Sequence, residues 1–211
     1  MKYLIVLGAG ESGVGAALLA KAKNWNVFVS DYGKIAPKYQ EILTENDIDF
    51  EEEQHTWELI EGADLVVKSP GIPDKSPLIQ KLKAQNTPII SEIEWAAKFT
   101  RAKLIGITGS NGKTTTTSLI YHLLKKANLN VGLGGNIGNS FAAMVVEDSY
   151  DYYVLELSSF QLEGIKDCTF EIAVLLNISP DHLDRYEYKM ENYVQAKLQI
   201  QKNSKEDNCI I

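Results

Sequence analysis

The chain has 211 residues, 45% of them hydrophobic, which is enough for one large core or two modest ones. A formal net charge of -7 with dispersed Lys and Arg excludes a non-specific nucleic-acid surface. No stretch approaches the ~20 apolar residues of a membrane span. The short apolar run at Tyr3–Leu7 ends in glycines, as a buried strand does. Cys168 and Cys209 are widely spaced without a CxxC, a pattern that suits reduced thiols in a cytoplasmic protein.

In chain order, the Tyr3–Leu7 strand runs into Gly8-Ala9-Gly10-Glu11-Ser12-Gly13, which fits G-x-G-x-x-G. A helix is expected over Val14–Ala22 and a second strand over Val27–Ser30, ending at Asp31. Such a β-α-β unit sets a pyrophosphate at a helix N-terminus and an acid near a ribose or sugar. Taken alone it suggests a dinucleotide such as NAD, and a tight turn between strand and helix asks for the same small residues. A polar helix follows at Lys38–Glu45, and the acidic segment Asp49–Glu53 reads as a solvated edge strand. Asp64–Val67 is another buried strand, ending in the rigid turn Lys68–Pro73. Loops at the carboxyl ends of parallel strands line the ligand crevice, so Gly8–Gly13, Asp31 and Ser69–Gly71 are expected to face it together. Ordinary turn chemistry also accounts for Ser-Pro-Gly. A helix over Ser76–Gln85 and a strand over Pro88–Ile90 complete this unit. Ser91 and Glu94 have capping-box spacing for a helix reaching Phe99. The first domain is therefore drawn as 1–91 and the second as 92–211.

The second unit opens with a strand at Lys103–Ile107, then Thr108-Gly109-Ser110-Asn111-Gly112-Lys113-Thr114-Thr115 and a helix to Ala127. In such a turn the backbone N–H groups point inward and the helix N-terminus adds partial positive charge. Gly109 to Thr115 are thus candidate ATP contacts. Lys113 would reach the outer phosphates, and the Thr114 hydroxyl would ligate Mg2+. The usual loop has a glycine where Ile107 stands, so this is a variant. A strand over Asn130–Leu133 closes on Gly134–Gly138, where Asn136 could present an amide to a ligand. The strand Tyr152–Glu156 ends in an acid beside the phosphate loop, which makes Glu156 a candidate metal ligand. The strand Ile172–Leu176 delivers Asn177 to Arg185, a polar cluster in which His182 could bind a metal through neutral imidazole. Lys197, on a helix expected over Tyr193–Ser204, reads on chemistry alone as solvated. Ile210-Ile211 reads as the opening of a further buried strand.

Together Thr108–Thr114, Gly135–Gly138, Leu155–Leu162 and Asn177–Arg185 resemble the Mur ligases of peptidoglycan synthesis, and Ser158-Ser159-Phe160-Gln161-Leu162 resembles their D-glutamate-adding branch. The resemblance implies an α/β fold: a Rossmann-like N-terminal domain, then an incomplete P-loop NTPase-like domain with a mainly parallel sheet. It reassigns the first unit from NAD to the UDP end of a sugar nucleotide, with Ser12, Gly13, Asp31, Ser69 and Gly71 as contacts. Asn136, Ser158 and Gln161 would meet the muramoyl portion. Tyr32-Gly33 stands where some relatives have Thr-Arg. The implied substrates are UDP-N-acetylmuramoyl-L-alanine, ATP and D-glutamate, joined through an acyl phosphate by a cytoplasmic monomer. Thr114 and Glu156 would hold one Mg2+, and His182 with a carbamylated Lys197 a second. Lys113, His182 and Lys197 are the implied catalytic residues. The family has a further part of the central domain and a third, amino-acid-binding domain, so this stretch is expected to bind the UDP substrate better than ATP and not to turn over. An NAD-dependent oxidoreductase, a non-catalytic nucleotide-binding module and a generic P-loop ATPase are the competing readings.

Overall fold

A computed structural model describes residues 2–204 and 208–210. It contains two five-stranded sheets, and every strand pair in them is parallel. The first sheet has β1 (Tyr3–Leu7), β2 (Asn26–Ser30), β3 (Asp49–Glu51), β4 (Leu65–Lys68) and β5 (Ile89–Ile90), in the order β3-β2-β1-β4-β5. Its helices are α1 (Glu11–Ala22), α2 (Pro37–Glu45), α3 (Trp57–Ile60) and α4 (Pro77–Ala84). After α5 (Glu92–Ala97) come β6 (Lys103–Thr108), α6 (Lys113–Lys126), β7 (Val131–Gly135), α7 (Phe141–Val145), β8 (Tyr152–Glu156), α8 (Ser159–Leu162) and β9 (Ile172–Leu175). A short 3-10 turn at Leu183–Tyr186, α9 (Met190–Leu198), a second 3-10 turn at Gln199–Gln201 and β10 (Cys209–Ile210) follow, giving the order β10-β9-β6-β8-β7.

The strands are continuous apolar runs because helices cover both faces of a parallel sheet. In each sheet the strand order reverses beside the first strand, and a crevice opens there at the carboxyl ends. Register then decides which residues meet. Leu7 pairs with both Ser30 and Lys68, so Gly8, Asp31 and Ser69 leave the first sheet at one level. Ile107 pairs with Glu156 and Val174, and Gly135 pairs with Glu156, so the phosphate loop, Glu156 and Asn136 emerge side by side.

One buried cluster runs through both units, from Leu4 and Val6 through Trp95 and Phe141 to Tyr153 and Phe170. The shared element is α1, whose Ala- and Gly-rich surface is buried at Gly13, Val14, Gly15, Ala16, Ala17, Leu19 and Ala20. A helix that is apolar almost all round belongs in an interior. A Cβ on Gly15 would sit 2.1 Å from Ser140 Oγ, so the missing side chain is what admits α7. Trp95 of α5 fixes the same helix from another side, donating its indole N–H to the Ala16 carbonyl at 3.2 Å and meeting Trp25 edge-to-face.

Several expectations need correction. α1 starts at Glu11, so Gly13 lies inside the helix. The helix expected over 193–204 starts earlier, at Met190, and tightens into a 3-10 turn after Leu198. α7 had no periodic signal in its five residues. The acidic edge strand is not simply solvated. Glu51 is buried and accepts from the Ser30 hydroxyl at 2.7 Å and from the Thr56 backbone N–H and hydroxyl at 2.8 Å and 2.5 Å. Only half of the Ser91–Glu94 capping box forms. Ser91 Oγ accepts from Glu94 N, while the Glu94 carboxylate turns away to accept three backbone N–H groups, from Lys166, Asp167 and Cys168. Three such bonds, together with the Lys98 ammonium 2.8 Å away, outweigh one helix-end N–H and hold the Glu94 pKa below its ordinary value despite its burial. Of the strand expected at Ile210-Ile211, Ile210 pairs with Val174, and Ile211 lies outside the described residues.

Candidate functional site

The loop between β6 and α6 is held by residues far along the chain. Gly112 caps α6 with φ 83°, a left-handed conformation that costs glycine nothing and places the first N–H groups of the helix at the loop. Asn111 N–H donates to Asn177 Oδ1 at 2.9 Å, and Asn177 Nδ2 returns a bond to the Asn111 carbonyl at 3.0 Å. The Ser110 hydroxyl is buried, donating to the Ser179 carbonyl at 2.9 Å and lying 3.0 Å from the Tyr193 hydroxyl. Lys113 Nζ folds back onto the carbonyls of Gly109 and Ser110 at 2.9 Å and 3.0 Å, across the concavity of the loop. Thr114 and Thr115 are exposed on the first turn of α6.

Glu156 is buried, yet both its oxygens are engaged. Thr114 Oγ1 donates to Oε2 at 2.8 Å and Asn136 Nδ2 donates to Oε1 at 2.8 Å. A carboxylate and a hydroxyl beside the N–H groups at the head of α6 form a hard oxygen donor set of the kind Mg2+ takes. These residues therefore fit one Mg2+. Among the described residues no group of three or more His, Cys, Asp or Glu is placed to hold a metal.

Lys197 is the largest departure from a reading by residue type. It is 2% exposed, and its ammonium donates to the Gly109 carbonyl at 2.8 Å above the ring of Tyr193. Burial, then the nearby Lys113, lowers its pKa to about 8. An ammonium would repel a metal here, whereas a carbamate on the same nitrogen would attract one. His182 is exposed, takes a left-handed φ of 49°, and has Nε2 3.6 Å from Asp181 Oδ2. A cavity of about 220 Å³ collects Lys113, Asn136, Ser158, His182, Lys197 and Gly71 on its walls. Gln161 lies behind it. It is buried, and its Oε1 accepts from Ser158 N and Oγ at 3.0 Å and 3.1 Å, closing a capping box on α8.

In the first unit Ser12 and Gly13 occupy the first turn of α1, where a Cβ on Gly13 would lie 1.8 Å from the Gly8 carbonyl oxygen. Asp31 bridges the turn, accepting from Ala9 N at 2.6 Å and Gly33 N at 2.8 Å. Ser69 packs against Gly8, and Gly71 accepts a hydrogen bond from Arg185 of the second unit at 3.2 Å. Sequence reasoning missed Tyr193, although it precedes Lys197 by one helical turn, a spacing that puts both on one face. It also missed His55. Its Nδ1 lies 2.6 Å from Ser30 Oγ, its ring is 5.8 Å from Tyr32, and burial lowers its pKa. No sequence spacing reports either contact, because β2 and the 51–56 loop meet only in the sheet.

Residues 107–211 match the family model for the Mur ligase middle domain, and residues 4–78 match the MurD N-terminal domain. The chain belongs to the Mur ligase family. It is 59% identical over its whole length to the UDP-N-acetylmuramoylalanine–D-glutamate ligase of Bacteroides thetaiotaomicron, and it covers 48% of that protein. With the ligase of the same name from Christiangramia forsetii it shares 55% identity, covering 47%. The chain thus spans about half the length of the curated relatives it matches. The Mur ligase fold recurs in the solved UDP-N-acetylmuramate:L-alanyl-gamma-D-glutamyl-meso-diaminopimelate ligase of Neisseria meningitides. The TM-score is 0.67 and the identity 21%, over 99% of this chain and 71% of that one. It recurs again in the UDP-N-acetylmuramate-alanine ligase of Thermotoga maritima, with a TM-score of 0.61 and 22% identity over 97% of this chain and 47% of that one.

Proposed function

We propose that this chain carries the sugar-nucleotide and ATP sites of a ligase that joins D-glutamate to UDP-N-acetylmuramoyl-L-alanine in peptidoglycan precursor synthesis. The supporting observation is the cavity that Lys113, His182 and Lys197 share with Gly71, Asn136 and Ser158. It sets a phosphate loop against the crevice loop of the first unit. We divide the two units at Ser91 and Glu92, between the last strand of one sheet and the helix leading to the other.

In this reading Ser12, Gly13, Asp31, Ser69 and Gly71 hold the UDP end, and Asn136, Ser158 and Gln161 orient the muramoyl-alanyl arm into the cavity. ATP lies on Gly109–Thr115. The alanyl carboxylate oxygen attacks the terminal phosphorus, ADP leaves, and the D-glutamate amine then displaces phosphate from the acyl phosphate. Phosphoryl transfer asks the protein mainly for positioning and for charge to meet the spreading negative charge. Lys113 supplies part of that charge once phosphates draw it off its two carbonyls. Thr114 and Glu156 would hold one Mg2+, and His182 with a carbamate on Lys197 a second. Bound Mg2+ would neutralise phosphate oxygens. A cytoplasmic monomer using ATP belongs to the same reading. Among the described residues no helix is long and apolar enough to cross a membrane.

Calorimetric titration of the chain with UDP-N-acetylmuramoyl-L-alanine, with NADH as the paired control, tests this. Binding of the sugar nucleotide and silence with NADH is the expected result. NADH binding with no response to the sugar nucleotide overturns it.

A further inference from the structure

The turn that presents His182 is unusual. Leu183–Tyr186 is a single 3-10 turn bracketed by non-glycine residues in left-handed conformations, His182 at φ 49° before it and Glu187 and Tyr188 at φ 55° and 56° after it. Residues with a Cβ disfavour that region, and such backbone persists only where surrounding contacts over-determine it. The contacts that do so reach out of the second unit. The Arg185 guanidinium donates through Nη1 to the Gly71 carbonyl and through Nη2 to the Pro70 carbonyl, both at 3.2 Å and both across more than 110 positions of sequence. Its Cζ lies 4.5 Å from the Phe160 ring centroid, over the ring. Phe160 stacks on Tyr186 at an interplanar angle of 11° and also touches the His182 ring. Tyr186 packs on Tyr193, whose hydroxyl meets Ser110 in the phosphate loop. The ladder runs unbroken from the crevice loop of the first sheet to the phosphate loop of the second.

We propose that Arg185 is a positioning residue that holds His182 in its strained conformation by gripping Pro70 and Gly71. Through it the occupant of the first unit's crevice sets the geometry at the phosphate loop. Arg185 touches neither nucleotide in this scheme. It acts through His182 and through the Ser69–Gly71 loop, so the coupling half rests on the sugar-nucleotide reading above. Two parallel N–H donors on a rigid plane suit two successive carbonyls, and a lysine cannot reproduce that fork. Energetic coupling between two sites must be reciprocal, so it can be read from either ligand.

The test uses the 211-residue chain with Arg185→Ala, Arg185→Lys and Phe160→Leu. The first measurement needs no ligand: the imidazole carbon–proton resonances of its three histidines, His55, His122 and His182. The expected result is that R185A and F160L move or broaden the His182 resonance and leave those of His55 and His122 in place. The second measurement is calorimetry with a non-hydrolysable ATP analogue and Mg2+, with and without saturating UDP-N-acetylmuramoyl-L-alanine. The wild-type chain should bind the analogue about tenfold more tightly with the sugar nucleotide present, within the usual range of coupling. R185A should reduce that factor below about twofold, and R185K should recover it in part. An unmoved His182 resonance in R185A overturns the positioning role. A coupling factor equal in wild type and R185A overturns the link to the crevice. If the wild-type chain ignores the sugar nucleotide, the substrate reading fails, and the resonances still decide the role of Arg185. If R185A does not fold, R185K carries both measurements.

Discussion

Ser140 Oγ donates to Glu92 Oε1 at 2.7 Å, joining α7 to α5 at the junction between the two sheets. The same oxygen accepts from Ala142 N at 2.6 Å, while Glu92 Oε2 finds no hydrogen-bond partner among the described residues. A fully buried carboxylate served on one side only is held toward its neutral form, and burial raises the Glu92 pKa to about 7.

That shift makes stability depend on pH. The folded chain binds the Glu92 proton more tightly than the unfolded chain does, so its contribution is fully present below the unfolded pKa near 4.5 and is lost as pH rises through about 7. Glu92→Gln keeps an acceptor for Ser140 and removes the titration. Urea unfolding of the wild type should therefore show stability falling between pH 4.5 and pH 7 by up to about 3 kcal/mol, since one pKa unit is about 1.4 kcal/mol. The variant should show a flatter profile over the same range. Parallel profiles would exclude Glu92 as the source.

Thr114 Oγ1 donates to Glu156 Oε2 at 2.8 Å beside the loop that opens α6. Thr114→Ala removes a proposed Mg2+ ligand without touching the N–H groups of the loop. Affinity for an ATP analogue should fall about 10- to 100-fold with Mg2+ present, in the range of other altered metal sites. Chelating the metal should bring wild type and variant together. A difference that persists in chelator would locate the effect in the loop itself.

Lys197 is a buried cation whose direct bond is to a carbonyl, an arrangement that adds little to stability. Lys197→Met should leave thermal stability unchanged or raised by about 1 kcal/mol at pH 7. Carbon-13 NMR in labelled bicarbonate should show a carbamate signal in the wild type and none in the variant. The same signal in both would assign the modification elsewhere.

The contact of Gly13 with the Gly8 carbonyl leaves no space for a methyl group, since a Cβ would stand 1.8 Å from the oxygen. Backbone must move to admit one. Gly13→Ala should destabilise the chain by about 3 kcal/mol, the upper part of the overpacking range. It should also weaken any phosphate contact at the start of α1. A denaturation midpoint equal to wild type would mean that the turn is softer than it looks.

Strand identity and loop chemistry were legible in the sequence because both are local. A buried parallel strand is a run of apolar residues, and a phosphate loop is a glycine-rich turn entering a helix, so β1, β6, β8 and the Gly109–Thr115 loop could be read off directly. Asp31, Glu156 and His182 could be proposed because each stands at or beyond the carboxyl end of such a strand. Element ends were less legible. Gly13 reads as turn but serves as helix, because close packing on Gly8, not propensity, selected the glycine.

By itself, then, the amino-acid sequence determined the two parallel sheets, the loops at their carboxyl ends and the family to which they belong. Tertiary structure decided which oxygen faces which nitrogen. Lys197 reads as a solvated lysine until α9 packs it beneath the Gly109 carbonyl. Glu94 reads as half of a cap until three N–H groups from 166–168 claim its carboxylate. Arg185 reads as one member of the polar cluster after β9 until it reaches Pro70 and Gly71. In each case the partner lies about 70 or more positions away, and the contact exists only once the core has closed around it.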